Sequence, residues 1–163
     1  MNNIILIGMP GCGKSTVGVL LAKLLGYDFI DTDLLIQSRE NKRLYEIINE
    51  NGLEYFSKIE SEVLSVLKCE KSVIATGGSA VYSKVGMENL KSLGRVVYLF
   101  VPLKEIKRRV TNLSTRGVAI KEGQTLTDLY KEREPLYRLY ADITVDCNKK
   151  KILDNAEKII KAL

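Results

Sequence analysis

Histidine is missing from the sequence altogether, which removes Ser-His-Asp hydrolysis, His-ligated metals and imidazole acid–base chemistry. Carboxylates, lysines and arginines are left to carry any reaction. Cysteine is scarce: Cys12, Cys69 and Cys147 stand far apart, without CxxC spacing. They indicate neither a disulfide framework nor a zinc site, and a reducing, cytoplasmic setting is expected. Long apolar runs are absent too, since residues 4–7 are too short for a signal-peptide core or a membrane span. No basic tract interleaves with aromatics; the formal charge of +5 comes from scattered lysines and arginines. No nucleic acid and no membrane is therefore expected as a partner, and anionic small substrates account for the charge equally well.

What the chain does have is size and one dense motif. Its 163 residues, 45% hydrophobic, suffice for one core, so residues 1–163 are read as a single domain. Gly8-Met9-Pro10-Gly11-Cys12-Gly13-Lys14-Ser15 follows the apolar run Ile4–Ile7 and precedes a helix-like stretch from Thr16 to Leu25. This is a G-x-x-x-x-G-K-[ST] phosphate loop in its required strand–loop–helix context. Backbone N–H groups from Gly11, Cys12, Gly13 and Thr16 can surround the phosphates, Lys14 can reach the β/γ-phosphates, and the Ser15 hydroxyl can face Mg²⁺. A nucleoside triphosphate is expected.

Short β-rich runs recur at 3–7, 27–30, 72–75, 95–101 and 142–145, separated by helical periodicity at 14–25, 33–39, 43–49, 53–67, 84–93, 103–110, 126–140 and 151–162. Such alternation predicts an α/β fold, a parallel sheet wrapped by helices. The last helix has Ile152, Leu153, Ala156, Ile159, Ile160 and Leu163 on one side and is expected only to seal the sheet. Residues 111–124 break the pattern and form a candidate mobile lid or a plain solvated loop.

Asp31-Thr32-Asp33 ends the second strand, where ligands collect in parallel sheets. If the chain stays extended, alternation puts both carboxylates on one side, one for Mg²⁺ and one for an acceptor hydroxyl. Asp33 as a mere helix cap is the alternative. Gly77 and Gly78 end the strand at 72–75 and permit close approach of a ligand or another backbone; a tight turn alone is the alternative. Arg109 and Arg116 flank the front of the candidate lid, and Arg133 lies in Lys131-Glu132-Arg133-Glu134-Pro135-Leu136-Tyr137. Each could be a solvated surface charge; together they offer the positive charge phosphoryl transfer requires.

With these residues in place, the chain resembles the shikimate kinase family over nearly its full length. The matches are Gly8-x-x-Gly11-x-Gly13-Lys14-Ser15-Thr16, Asp31-x-Asp33, Phe56 with Glu60, Gly77-Gly78, Arg109 with Arg116, and Arg133-x-Pro135-Leu136-Tyr137 with Ala141-Asp142. The resemblance implies a three-layer P-loop fold with sheet order 2-3-1-4-5, helices on both faces and a lid. It also implies ATP as co-substrate, Mg²⁺ as cofactor, shikimate as acceptor at its 3-hydroxyl, and a monomer. By the same resemblance Asp33 holds the acceptor hydroxyls and is their base, and Asp31 supports Mg²⁺. Arg133 binds the acceptor carboxylate, Arg116 touches the transferring phosphate as a catalytic residue beside Lys14, and Arg109 lies against adenine.

Three positions depart from the family pattern. Its F-R-x-x-E is here Phe56-Ser57-Lys58-Ile59-Glu60, which replaces one of two carboxylate-clamping arginines; Lys58 points about 100° away on a helix and does not stand in. G-G-G is Gly77-Gly78-Ser79, and the lid's R-P-L-L is Arg116-Gly117-Val118-Ala119. A kinase of this fold with another small acceptor, or a nucleotide-binding regulatory module without transfer, are the competing expectations.

Overall fold

A computed structural model describes residues 3–111, 117–148 and 151–163. Five parallel strands, β1 (Asn3–Ile7), β2 (Asp28–Asp31), β3 (Ser72–Ala75), β4 (Gly94–Phe100) and β5 (Ile143–Asp146), form one sheet in the order β2-β3-β1-β4-β5. The order expected from the resemblance is the order observed. Residues 3–7 are all buried because β1 is central and covered on both faces, which is why it reads as an unbroken apolar run.

Between the strands run α1 (Lys14–Leu25), α2 (Thr32–Glu40), α3 (Leu44–Val66), α4 (Lys84–Leu93), α5 (Leu103–Arg109), α6 (Leu126–Tyr140) and α7 (Ile152–Ala162). Two predicted helices, 43–49 and 53–67, are joined in α3, each overrunning its end by one residue, and flank Gly52, whose φ of 85° breaks the helical path. Pro135 lies inside α6 without ending it. A short 3-10 turn at Ala80–Tyr82, absent from the periodicity, follows β3.

At the amino ends of the strands, the Asn3 side chain clasps two other segments, the entry to β3 and the end of α4. Its Nδ2 donates to the carbonyls of Cys69 (2.9 Å) and Leu93 (3.0 Å), and its Oδ1 accepts the Ser72 N–H at 2.9 Å. This amide holds the register of β1 between β3 and β4, leaving the opposite edge of the sheet open for a site. A smaller apolar cluster of Ile36, Leu44, Ile47, Phe56, Ile59 and Val63 joins α2 to α3 beside that edge. No helix among the described residues is long and apolar enough to cross a membrane.

Candidate active site

The phosphate loop leaves β1 at Gly8 and enters α1 at Lys14. Gly13 occupies the N-cap with φ of 95°, a conformation costly for any residue with a Cβ. Neither a capping side chain nor an acidic residue in the first turn satisfies the orphan amides of α1, which stay available to an anion. Lys14 is buried, and its Nζ donates to the carbonyls of Gly8 (2.7 Å) and Met9 (3.0 Å), which pin the ammonium beside the loop.

Where Asp31 and Asp33 were expected to point the same way, the structure separates them, because the chain turns helical at Thr32. Asp31 is the N-cap of α2: its Oδ1 accepts the N–H groups of Asp33 (2.9 Å) and Leu34 (3.4 Å). Its Oδ2 accepts the Ser15 hydroxyl at 3.0 Å on the exposed side of the loop. One carboxylate and one hydroxyl, all hard oxygens next to the phosphate loop, suit Mg²⁺, which keeps several waters and takes phosphate oxygens as further ligands. Among the described residues no cluster of three His, Cys, Asp or Glu side chains could hold a metal ion.

Asp33 turns inward. It lines a cavity of about 180 Å³ together with Lys14, Phe56, Gly77, Gly78 and Arg133. Burial raises its carboxyl from the ordinary 3.8 to about 6, repulsion from Asp31 adds to this, and Lys14 opposes it. A base in that range is ionised at neutral pH and still accepts a proton readily. The lack of a side chain on Gly77 is required here: a Cβ would stand 2.6 Å from Asp33 Oδ1 and 3.1 Å from Glu60 Oε2.

Arg133 enters from α6 with only 1% of its surface exposed. Its Nη2 donates to the Ala119 carbonyl at 2.7 Å, its Nε to the Tyr82 hydroxyl at 3.4 Å, and its guanidinium lies 5.3 Å from the Tyr82 ring centroid. Nη1 passes 2.8 Å from where a Gly78 Cβ would be, so Gly78 makes room for the cation. Tyr137, one turn further along α6, donates to the Gly78 carbonyl at 2.7 Å and locks helix to loop.

Sequence reasoning named Glu60 but assigned it no role, and it passed over Tyr82. Glu60 is 3% exposed, and burial first, then Asp33, raises it to about 7 against the opposing effects of Ser79 and Arg133. A carboxylate within the apolar stripe Phe56, Ile59, Val63 and Leu64 was the available signal. Tyr82 carried none, since only the turn brings it beneath Arg133. Ser57 is exposed. Arg116 lies outside the described residues, as do 112–115 of the candidate lid; Gly117, Val118 and Ala119 line the cavity.

A second cavity of about 170 Å³ opens on the other side of the loop, lined by Cys12, Gly13, Thr16, Val17, Arg109, Ile152 and Asn155. Arg109 spans it, donating to the carbonyls of Gly11 (3.3 Å), Cys147 (3.3 Å) and Asn148 (3.2 Å). The α7 helix therefore does more than seal the sheet. Its first turn borders this cavity, and Leu153 and Ile160 stay partly exposed because Asn155, Ala156 and Ile159 form the buried face.

Comparison with known proteins points to one family. A family model described as Shikimate kinase matches residues 10–163. A shikimate kinase of Clostridium botulinum (strain Okra, type B1) is 43% identical over 152 residues, covering 91% of this chain and 88% of the relative. Among solved structures, shikimate kinase from Acinetobacter baumannii in complex with shikimate superposes with a TM-score of 0.88 at 37% identity, covering 99% of this chain and 92% of the other. The Aquifex aeolicus shikimate kinase gives 0.84 at 31% identity, with 98% and 94% covered.

Proposed function

This chain belongs to the shikimate kinase family, ATP-dependent phosphotransferases with an alcohol acceptor, and from that premise we propose that its acceptor is shikimate, phosphorylated at the 3-hydroxyl. The observation that carries this reading is the convergence of Lys14, Asp33 and Arg133 on one cavity. A phosphate-facing cation, a buried base and a carboxylate-binding guanidinium are what transfer to a small hydroxy acid demands.

In this mechanism Arg133 holds the acceptor carboxylate, and Asp33 hydrogen-bonds the acceptor hydroxyl. As the hydroxyl oxygen bonds to the γ-phosphorus, its proton passes to an Asp33 carboxyl oxygen. The bond from γ-phosphorus to the β-phosphate bridging oxygen breaks, and ADP leaves. Lys14 and the α1 amides stabilise the charge that develops on the phosphates. Ser15 and Asp31 would hold Mg²⁺, which supplies further neutralisation when bound. Arg109 packs beside adenine in the second cavity, and Arg116 touches the transferring phosphate. The enzyme acts as a cytoplasmic monomer of one domain, with residues 111–124 as its lid.

Incubating the protein with Mg·ATP and, separately, shikimate, gluconate, nucleoside monophosphates and homoserine tests the acceptor. ADP release above background with shikimate is expected. Release with another member of the panel alone would move the protein to a different acceptor, and release with none would leave a nucleotide-binding module.

A further inference from the structure

One departure from the family pattern, Ser79, bonds a buried carboxyl, and a second, Ser57, lies one turn before that carboxyl on α3. Glu60 Oε1 accepts the Ser79 hydroxyl at 2.7 Å, and Oε2 has no partner among the described residues. Oε2 and Asp33 Oδ1 share the space beside Gly77. A carboxyl so enclosed needs a donor. A guanidinium one turn earlier on α3 would be an i,i+3 neighbour able to supply it, yet position 57 holds an exposed serine. The donor comes instead from Ser79, whose side chain occupies the position of the pattern's third glycine.

Ser79 is also well placed mechanically. It opens the 3-10 turn that carries Tyr82 under Arg133, and it lines the cavity itself. The Ser79–Glu60 bond thus ties α3 to the loop that joins both acceptor-facing groups, Asp33 across Gly77 and Arg133 across Tyr82.

We propose that Ser79 is a positioning residue for the acceptor that acts through Glu60: its hydroxyl replaces, on the Glu60 carboxyl, a cation at position 57, so that residues 57, 60 and 79 set acceptor binding as one unit. This rests on the shikimate reading for its kinetic test. Steady-state kinetics with Mg·ATP and shikimate are measured for wild type, Ser79→Ala, Ser57→Arg and the double variant. Ser79→Ala raises KM for shikimate about tenfold, as expected for a lost buried hydrogen bond to a carboxyl, with KM for ATP unchanged. Ser57→Arg then lowers KM several-fold more when combined with Ser79→Ala than it does in wild type. Ser79→Cys keeps the volume with a weak donor and shifts KM in the same direction, which serves if the alanine variant does not fold. An unchanged KM for shikimate in the folded Ser79 variants, or an equal gain from Ser57→Arg in both backgrounds, overturns the proposal. If wild type is inert with shikimate, the acceptor reading fails by itself. A urea-denaturation cycle between Ser79→Ala and Glu60→Gln then decides the inference without acceptor: coupling supports it and additivity overturns it.

Discussion

The two sides of the main cavity are built in opposite ways. The nucleotide side comes from one stretch, residues 8–16, in which backbone amides, Lys14 and Ser15 are neighbours in the chain. The acceptor side is assembled from α2, α3, the end of β3, the turn after it and α6, and its groups hold one another: Ser79 on Glu60, Tyr82 and Ala119 on Arg133, Tyr137 on Gly78. A site made from contiguous backbone tolerates little change. One made from paired side chains can exchange a pair, and the Ser79 departure from the family pattern falls on such a pair, with Glu60.

Variants can break this comparison, beginning with the largest effect. Asp33→Asn is expected to lower kcat for acceptor phosphorylation by about 10²–10⁴-fold while ATP binding, read by calorimetry, stays near wild type. If ATP affinity collapsed and turnover survived, Asp33 would belong to the nucleotide side. Lys14→Ala is expected to cost about 10²–10³-fold in kcat, with a much smaller change in melting temperature. Near-normal ADP production would sink the phosphate-loop assignment. Arg133→Lys keeps the charge but loses the fork that reaches Ala119, Tyr82 and the cavity together. KM for shikimate should rise roughly 10- to 100-fold with KM for ATP unaffected.

The smallest effect sharpens the contrast through pH. Glu60 has its folded-state pKa raised to about 7 from an ordinary 4.5, with Asp33, Ser79 and Arg133 facing it. Between those values the folded protein binds the proton and the unfolded chain does not, so Glu60 costs stability as pH rises from about 4.5 to 7. Glu60→Gln should therefore be more stable than wild type by about 1–3 kcal/mol at pH 8, an advantage that fades towards pH 4.5. Urea midpoints at the two pH values check it; a gain that does not depend on pH would mean that the carboxyl is not desolvated.

The same contrast explains what the sequence made legible. The phosphate loop and the five strands could be read because both are local patterns, a fixed spacing in one case and buried apolar runs in the other. Asp33 was found, but its direction was not, since the helix starts at Thr32 and sends Asp31 to cap it. The positions of Tyr82 beneath Arg133 and Ser79 against Glu60 depend on contacts between residues 51 and 19 apart in the chain, which no periodicity encodes. Sheet order came only from resemblance.

The Asn3 clasp has a consequence for how the protein is made. Its partners lie 66, 69 and 90 residues further along the chain. At a synthesis rate of about 5–20 residues per second, β1 leaves the ribosome several seconds before the segments that hold it in register. For that interval an apolar strand has no neighbours, so the phosphate loop attached to it takes shape only after the second half of the sheet arrives. The motif that is easiest to read in the chain thus hangs from a strand whose register is held only once Leu93 has been made.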